Sequence, residues 1–204
     1  MSIISARLTR DERIIWTGRP NPSRLLAPAD AYLVPFSLLW LGFALFWEVG
    51  VLASILGGEG RGPEILFFPL FGLVFVLFGL YFAFGRLVVK ARRRRRTHYA
   101  VTDRRVMEVQ ERGDGASVHA AFLDQIPAVS VQARGDGSGT LTFGTPTAGI
   151  WNMYADTGLE FFMGGMTGPL AFRDIPRVAE VAELIERARD EARGQRMSIA
   201  SPNE

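Results

Sequence analysis

The chain has 204 residues, of which 48% are hydrophobic and 22% are charged, and its formal net charge is +2. It contains no cysteine, which excludes disulfide frameworks, thiolate metal sites and cysteine nucleophiles. The charges are unevenly spread, because only four of the 23 basic and 21 acidic residues lie between Ala31 and Gly85. This distribution is typical of a membrane protein with a polar remainder and excludes the water-soluble classes.

The first apolar segment begins at Ala31 and carries no charge for 17 residues, until Glu48. We predict a transmembrane helix over about residues 32–53, which places Glu48 near the far interface, within reach of Arg61. An intramembrane carboxylate is also found in ion paths and proton relays. Glu48 therefore leaves open a less favoured alternative, a small transporter or channel subunit.

The second apolar segment, residues 65–85, holds 21 residues without a charge, and 15 of them are Ile, Leu, Phe or Val. A helix of this length spans the hydrocarbon core at about 1.5 Å per residue. Seven basic residues follow it between Arg86 and Arg96, five precede the first segment, and only Arg61 lies between the two. By the positive-inside rule both termini are cytoplasmic, which predicts a multi-pass protein of the cell (inner) membrane.

Gly72 and Gly79 lie seven residues apart on one face of the second predicted helix. Small residues let another backbone approach closely. These two glycines are candidate helix-packing positions, either within the hairpin or in a homo-oligomer.

The basic residues after the second span are the strongest local signal in the sequence. They act as a topology determinant, and they lie where anionic headgroups concentrate. A nucleic-acid site would need aromatic or fold support that the sequence lacks, so we expect no nucleic acid as a partner. The candidate lipid-headgroup contacts are Arg86, Lys90, Arg92, Arg93, Arg94, Arg95 and Arg96.

From Thr97 onward the pattern changes to short alternating segments separated by turns. Seven short strands are predicted, and their spacing is typical of a meander that closes into a small barrel or sandwich. The predicted strands are 97–102, 105–111, 116–122, 127–134, 140–144, 159–162 and 169–173. The segment 12–18 also alternates, and we expect it to form a strand that packs on this domain.

A helical period follows between Asp174 and Arg193, with apolar residues on one face and charged residues on the other. Asp174 is its predicted N-cap and Gly194 its predicted stop. We expect the helix to cover the open end of the barrel, and the tail 195–204 to be disordered.

Seven strands closed by one amphipathic helix is the order of the pleckstrin-homology (PH) fold. The chain resembles bacterial membrane proteins that carry a PH-like domain over roughly residues 11–190. The stretches that carry the resemblance are ERIIWTGRPNP (12–22), HYAVTDRRVM (98–107), GTLTFG (139–144) and FRDIPRVAEVAELI (172–185). The resemblance implies a binding scaffold rather than a catalyst.

No catalytic constellation is found in the sequence. His98 and His119 both fall in predicted strands, and neither has carboxylates nearby that would complete a metal site. We therefore expect no enzyme activity, no cofactor and no metal. The Thr-Asp-Arg-Arg motif at 102–105 is interpreted as a tight turn in which Thr102 and Asp103 bond the backbone, rather than as a phosphoinositide site.

The connections 144–158 and 163–168 contain large, soft side chains in loops. If these are exposed together they form an apolar lip that marks an interaction surface, and otherwise they are satellite core. The candidate lip residues are Trp151, Met153, Tyr154, Met163 and Met166.

The sequence thus predicts a two-helix transmembrane hairpin and a cytoplasmic, mainly-β PH-like barrel of about seven strands capped by a C-terminal helix. We expect a non-enzymatic, membrane-anchored binding module for an unidentified protein partner or anionic membrane lipid. A structural subunit of an oligomeric membrane assembly is the alternative. The predicted regions are an N-terminal segment (1–30), the hairpin (31–90), a basic neck (91–96), the PH-like domain (97–194) and the tail (195–204).

Overall fold

The structure is a computed structural model, and it describes residues 4–27, 29–58, 62, 64–113, 115–144, 157–158 and 169–200, the side chains of Glu64 and of residues 195–200 excepted. The chain divides into two compact units. The hairpin unit comprises Leu25–Lys90 together with Thr157 and Gly158. The domain unit comprises residues 4–24, the chain from Ala91 to Gly144, and residues 169–200.

Two long helical stretches make up the hairpin unit. Helix α1 is Asp30–Leu56, and helix α2 is Glu64–Leu80. A turn of π-helix, Tyr81–Gly85, joins α2 to helix α3, Arg86–Arg95, so the second stretch continues without a break into the basic neck. Both predicted apolar helices are confirmed, and each is longer than the predicted span.

Helix α1 buries only a narrow seam against α2 and the π turn that follows it. Its buried members are Leu41, Ala44, Val76 and Ala83. Most other apolar side chains of these helices are exposed on the surface of the chain, among them Phe46 at 78%. An apolar surface of this extent is far larger than the scattered exposed residues of soluble proteins.

The domain unit contains a four-stranded antiparallel sheet in the order β1-β2-β3-β4. Its strands are β1 (Ile14–Gly18), β2 (Thr97–Thr102), β3 (Arg105–Arg112) and β4 (Gly115–Phe122). The predicted strand in segment 12–18 is confirmed, since β1 pairs with β2. In the sequence β1 precedes the hairpin, whereas the other three strands of this sheet follow it.

A second antiparallel sheet has three strands in the order β5-β6-β7. These are β5 (Val129–Ala133), β6 (Gly139–Phe143) and β7 (Ala171–Ile175). Helix α4, Val178–Ala200, follows β7. The predicted strand at 159–162 lies outside the described residues.

The main core is formed by the inner faces of the two sheets and one face of α4. Tyr99, Val101 and Val106 come from the first sheet, and Leu141 and Phe172 from the second. The helix supplies its apolar stripe, as its 3.6-residue period predicts: Val178, Val181, Ala182, Ile185 and Ala188. The face of the first sheet that points away from this core has its own small cluster, where Ile4 and Leu8 cover Ala100, Met107 and Val109.

Two predictions about this domain are wrong. The described strands form two separate sheets rather than a closed barrel. A 3₁₀ turn, Leu123–Gln125, and Pro127 lie between β4 and β5, and these two strands belong to different sheets. The last helix does not stop at Gly194 but continues to Ala200, because that glycine does not adopt the positive φ of a helix-ending residue.

Candidate functional site

The basic neck has two different sides. Arg86, Lys90 and Arg94 are 0%, 3% and 5% exposed, and they are spaced four residues apart, on one face of α3. The remaining candidates for lipid contact, Arg92, Arg93, Arg95 and Arg96, are exposed. Three of the seven predicted headgroup contacts therefore belong to the interior of the protein in this conformation.

Arg86 forms a buried ion pair within the hairpin unit. Its Nη1 donates to the Asp30 carboxylate at the start of α1 and to the carbonyl of Thr157, 3.2 Å away. Its Nε donates to the carbonyl of Phe82 over 2.6 Å. The π turn allows the bond from Nε to the Phe82 carbonyl, because the Arg86 backbone N–H donates to the carbonyl of Tyr81 rather than to that of Phe82.

A second contact ties Thr157–Gly158 to the same place. The Tyr81 hydroxyl donates to the carbonyl of Gly158 over 3.0 Å. Gly158 has a φ of +83°, and a Cβ there would lie 2.7 Å from the carbonyl oxygen of Arg86. Glycine is required at this position both by its backbone conformation and by the close approach.

Arg94 forms a buried ion pair with Asp174 in the domain unit. Arg94 Nη2 and Arg134 Nη1 each donate to one Asp174 oxygen, and Arg94 Nη1 donates to the carbonyl of Asn21 over 3.0 Å. Asp174 is 4% exposed and belongs to β7. The prediction that Asp174 is the N-cap of the last helix is wrong, because that helix begins at Val178 and the carboxylate is held by two arginines instead.

The Thr-Asp-Arg-Arg motif forms the predicted turn between β2 and β3. Thr102 Oγ1 accepts from the backbone N–H groups of Arg104 and Arg105, over 3.3 and 3.0 Å. Asp103 Oδ1 accepts from the N–H of Arg13 over 3.0 Å, which attaches the turn to the residue just before β1. The prediction that Thr102 and Asp103 bond the backbone is confirmed.

Glu12, which the sequence analysis did not single out, fills the centre of this turn. Its carboxylate accepts a bidentate pair from Arg105, with both N–O distances 2.9 Å, and a further bond from the Thr102 hydroxyl at 2.8 Å. Burial acts to raise the pKa of Glu12, but the bonds from Arg105, the Thr9 N–H and Thr102 outweigh it and lower the pKa from 4.5 to about 2. The carboxylate therefore stays charged over the physiological range.

Gly72 and Gly79 both face α1. A Cβ on Gly79 would lie 3.1 Å from the Cα of Leu41, and a Cβ on Gly72 would overlap the Glu48 carboxylate. Glu48 is half-buried, and its Oε2 has no hydrogen-bond partner among the described residues. In this conformation the glycine face is used inside the hairpin.

The other candidate residues are distributed as follows. His98 Nε2 lies 2.9 Å from Glu111 Oε1 across the β2–β3 pair, and His119 is exposed on β4. Arg61 lies outside the described part of the chain. So do the five lip residues, Trp151, Met153, Tyr154, Met163 and Met166.

Residues 36–189 match the family model described as Bacterial PH domain, which is 154 of the 204 residues. The chain therefore belongs to the bacterial PH domain family, and the matched region begins inside α1 and includes most of the hairpin. Domains of the PH type are generally non-catalytic binding modules, and no enzyme family matches. Neither a curated protein nor a solved structure matches the chain.

Proposed function

We propose that the protein is a non-enzymatic binding module, anchored in the bacterial inner membrane by the α1–α2 hairpin with both termini cytoplasmic. The observation that carries the proposal is a pair of long apolar helices, exposed along their length and continuous in sequence with a bacterial PH domain. The domain would act next to the inner leaflet, on anionic lipid or on a protein partner.

The exposure of the helices supports the anchor. Only 11% and 17% of the most apolar stretches of the two helices are buried, whereas the core helix of a soluble protein is mostly buried. Helices of 27 and 31 residues are about 40 and 46 Å long, which is longer than the thickness of the hydrocarbon core, about 30 Å.

The test of the anchor has two parts. After alkaline carbonate extraction of membranes, the chain should stay in the membrane pellet, and its release would refute the anchor. Because the chain has no cysteine, single cysteines report topology cleanly. Gly62→Cys, between α1 and α2, should react with a membrane-impermeant maleimide from outside, and Val131→Cys on β5 should not; the reverse pattern would refute the orientation.

The four exposed arginines of the neck support lipid contact: Arg92, Arg93, Arg95 and Arg96. Each basic side chain near an anionic surface contributes about 1 kcal/mol, or roughly 4 kcal/mol for the four. Arg94 contributes little, since its charge is already matched by Asp174.

Lipid contact is tested on the purified full chain in mild detergent, by thermal unfolding with added anionic or zwitterionic lipid. Anionic lipid alone should raise the unfolding midpoint by a few degrees, and changing all four exposed neck arginines to Gln should abolish the shift. The matched control changes four exposed arginines outside the neck to Gln and should keep it: Arg104, Arg112, Arg177 and Arg187. A wild-type midpoint that anionic lipid leaves unchanged would refute lipid contact and leave a protein as the class of ligand.

A further inference from the structure

The two sheets formed by the described strands have four edges, and these edges differ in how well they are protected from pairing with another chain. Edge strands in natural proteins are shortened, bent by bulges, or guarded by charges and prolines. Strand β1 has five residues and a bulge, with Glu12 and Arg13 just before it. Strand β7 has five residues, including Arg173 and Asp174, and the positive φ of Asp174 bends its end.

Strand β5 is also short, with five residues between Pro127 and Arg134. Strand β4 has none of these protections. It is eight residues long, pairs with β3 without a bulge, and contains no Asp, Glu, Lys, Arg or Pro. No strand in the described part of the chain pairs with its other edge.

One face of this edge strand carries apolar, exposed side chains. Ala121 packs against the main core, so the alternation of the strand directs Val118, Ala120 and Phe122 to the opposite face. Val118 is 37% exposed and Phe122 is 52% exposed. An edge strand without Asp, Glu, Lys, Arg or Pro, and with exposed apolar side chains, is a template for addition of a further strand.

We propose that β4 is a self-association surface, on which β4 of a second copy of this chain pairs antiparallel about a twofold axis perpendicular to the sheet. The two four-stranded sheets then form one sheet of eight strands. Antiparallel pairing of identical strands satisfies the backbone groups of both copies equally. Because β4 contains no Asp, Glu, Lys or Arg, no ionisable side chain other than His119 meets its like when the strand pairs with itself.

This axis also places the same faces of the two sheets side by side. Val118 and Phe122 of one copy then lie next to Ala116, Val118 or Ala120 of the other, and apolar surface that is exposed in the single chain is buried. The surface is separate from the glycine face of the hairpin, which the Glu48 and Leu41 side chains occupy.

Cysteine scanning tests the proposal, because the chain has no cysteine of its own. Each residue from 116 to 122 is changed to Cys in turn, and the purified full chain in mild detergent is oxidised and run on a non-reducing gel. Residues opposite each other in an antiparallel pair have Cα atoms about 4.5–5.5 Å apart, within the range of a disulfide. A residue two positions from the axis lies about 14 Å along the strand from the same residue of the second chain, so the two cannot form a disulfide.

The yield of the covalent dimer should therefore peak at one position and fall on both sides. Val131→Cys, 45% exposed on β5, is the matched control and should give at least fivefold less dimer than the peak. Adding Val118→Lys to the peak variant, or Ala120→Lys if the peak falls at residue 118, should abolish the link, whereas Val131→Lys should leave it. A flat profile, a control that links equally well, or a product that is not twice the mass of the chain would overturn the proposal.

Discussion

Replacing Asp174 by Asn removes the charge that holds Arg94 in the domain and leaves the shape of the site nearly unchanged. Asn is the appropriate substitution because Asp174 has a φ of +50°, a left-handed conformation that Asn tolerates. The guanidinium of Arg94 is 5% exposed, so after the change its charge stays buried without a counter-charge.

The expected loss follows from the burial of each partner. Breaking a buried ion pair by removing one member costs about 3–5 kcal/mol, so Asp174→Asn should lower the free energy of unfolding by that amount. Arg94→Met should cost less, since Asp174 keeps Arg134. The Arg134 side chain is 42% exposed, and Arg134→Gln should cost less than about 1 kcal/mol.

Urea unfolding in mild detergent measures these losses. It is followed by near-ultraviolet circular dichroism, to which Trp16 of the domain contributes because its ring stacks on Phe172, 5.8 Å away. The double variant Asp174→Asn with Arg94→Met should lose about 2 kcal/mol less unfolding free energy than the two single variants lose together. The reason is that neither buried charge is then left without its partner. If the losses are additive within about 0.5 kcal/mol, or if Arg134→Gln costs as much as Arg94→Met, the reasoning is refuted.

Three further predictions concern other parts of the chain. Because the pKa of Glu12 falls from 4.5 unfolded to about 2 folded, its stabilisation is complete above about pH 5 and is lost as the pH falls to 2, by at most about 3 kcal/mol. Urea unfolding from pH 6 to pH 2 should show this slope, Glu12→Gln should lack it, and equal slopes would contradict the role of this carboxylate. Gly79→Leu should lower the unfolding midpoint of the hairpin, followed by helical circular dichroism, because its Cβ meets Leu41, whereas Gly42→Leu, with nothing within 4 Å, should not; equal effects would contradict the packing. Gly194→Ala should stabilise α4 by up to about 1 kcal/mol, because Gly194 lies inside the helix with free space around it, and a loss of stability would place the helix end at Gly194 instead.

The elements that the sequence predicts well are those specified by local pattern. Two uncharged apolar runs give α1 and α2, alternation gives β2 to β4, and a 3.6-residue period gives the stripe of α4 that closes the core. Even β1, separated from its sheet by the hairpin, is visible as alternation at 12–18. These features require no knowledge of which segment packs against which.

The errors arise where a residue's role depends on a distant partner. Asp174 has the sequence context of an N-cap, yet Arg94, 80 residues earlier, is its partner. In the sequence Glu12 is one acidic residue in a charged segment, and nothing near it indicates that it pairs with Arg105, 93 residues later. The barrel prediction fails in a similar way, because strand count does not determine which edges pair.

The basic segment from Arg86 to Arg96 shows both what the sequence predicts and what only the tertiary structure decides. Its composition and its place after an apolar span are enough to predict the topology of the chain, because that depends on the number of charges and not on their partners. The spacing of Arg86, Lys90 and Arg94 at four-residue intervals shows that they share a helix face. Only the tertiary structure decides that this face is buried and the other exposed, because burial of an arginine is stable only where the fold brings a carboxylate, here Asp30 and Asp174, to meet it.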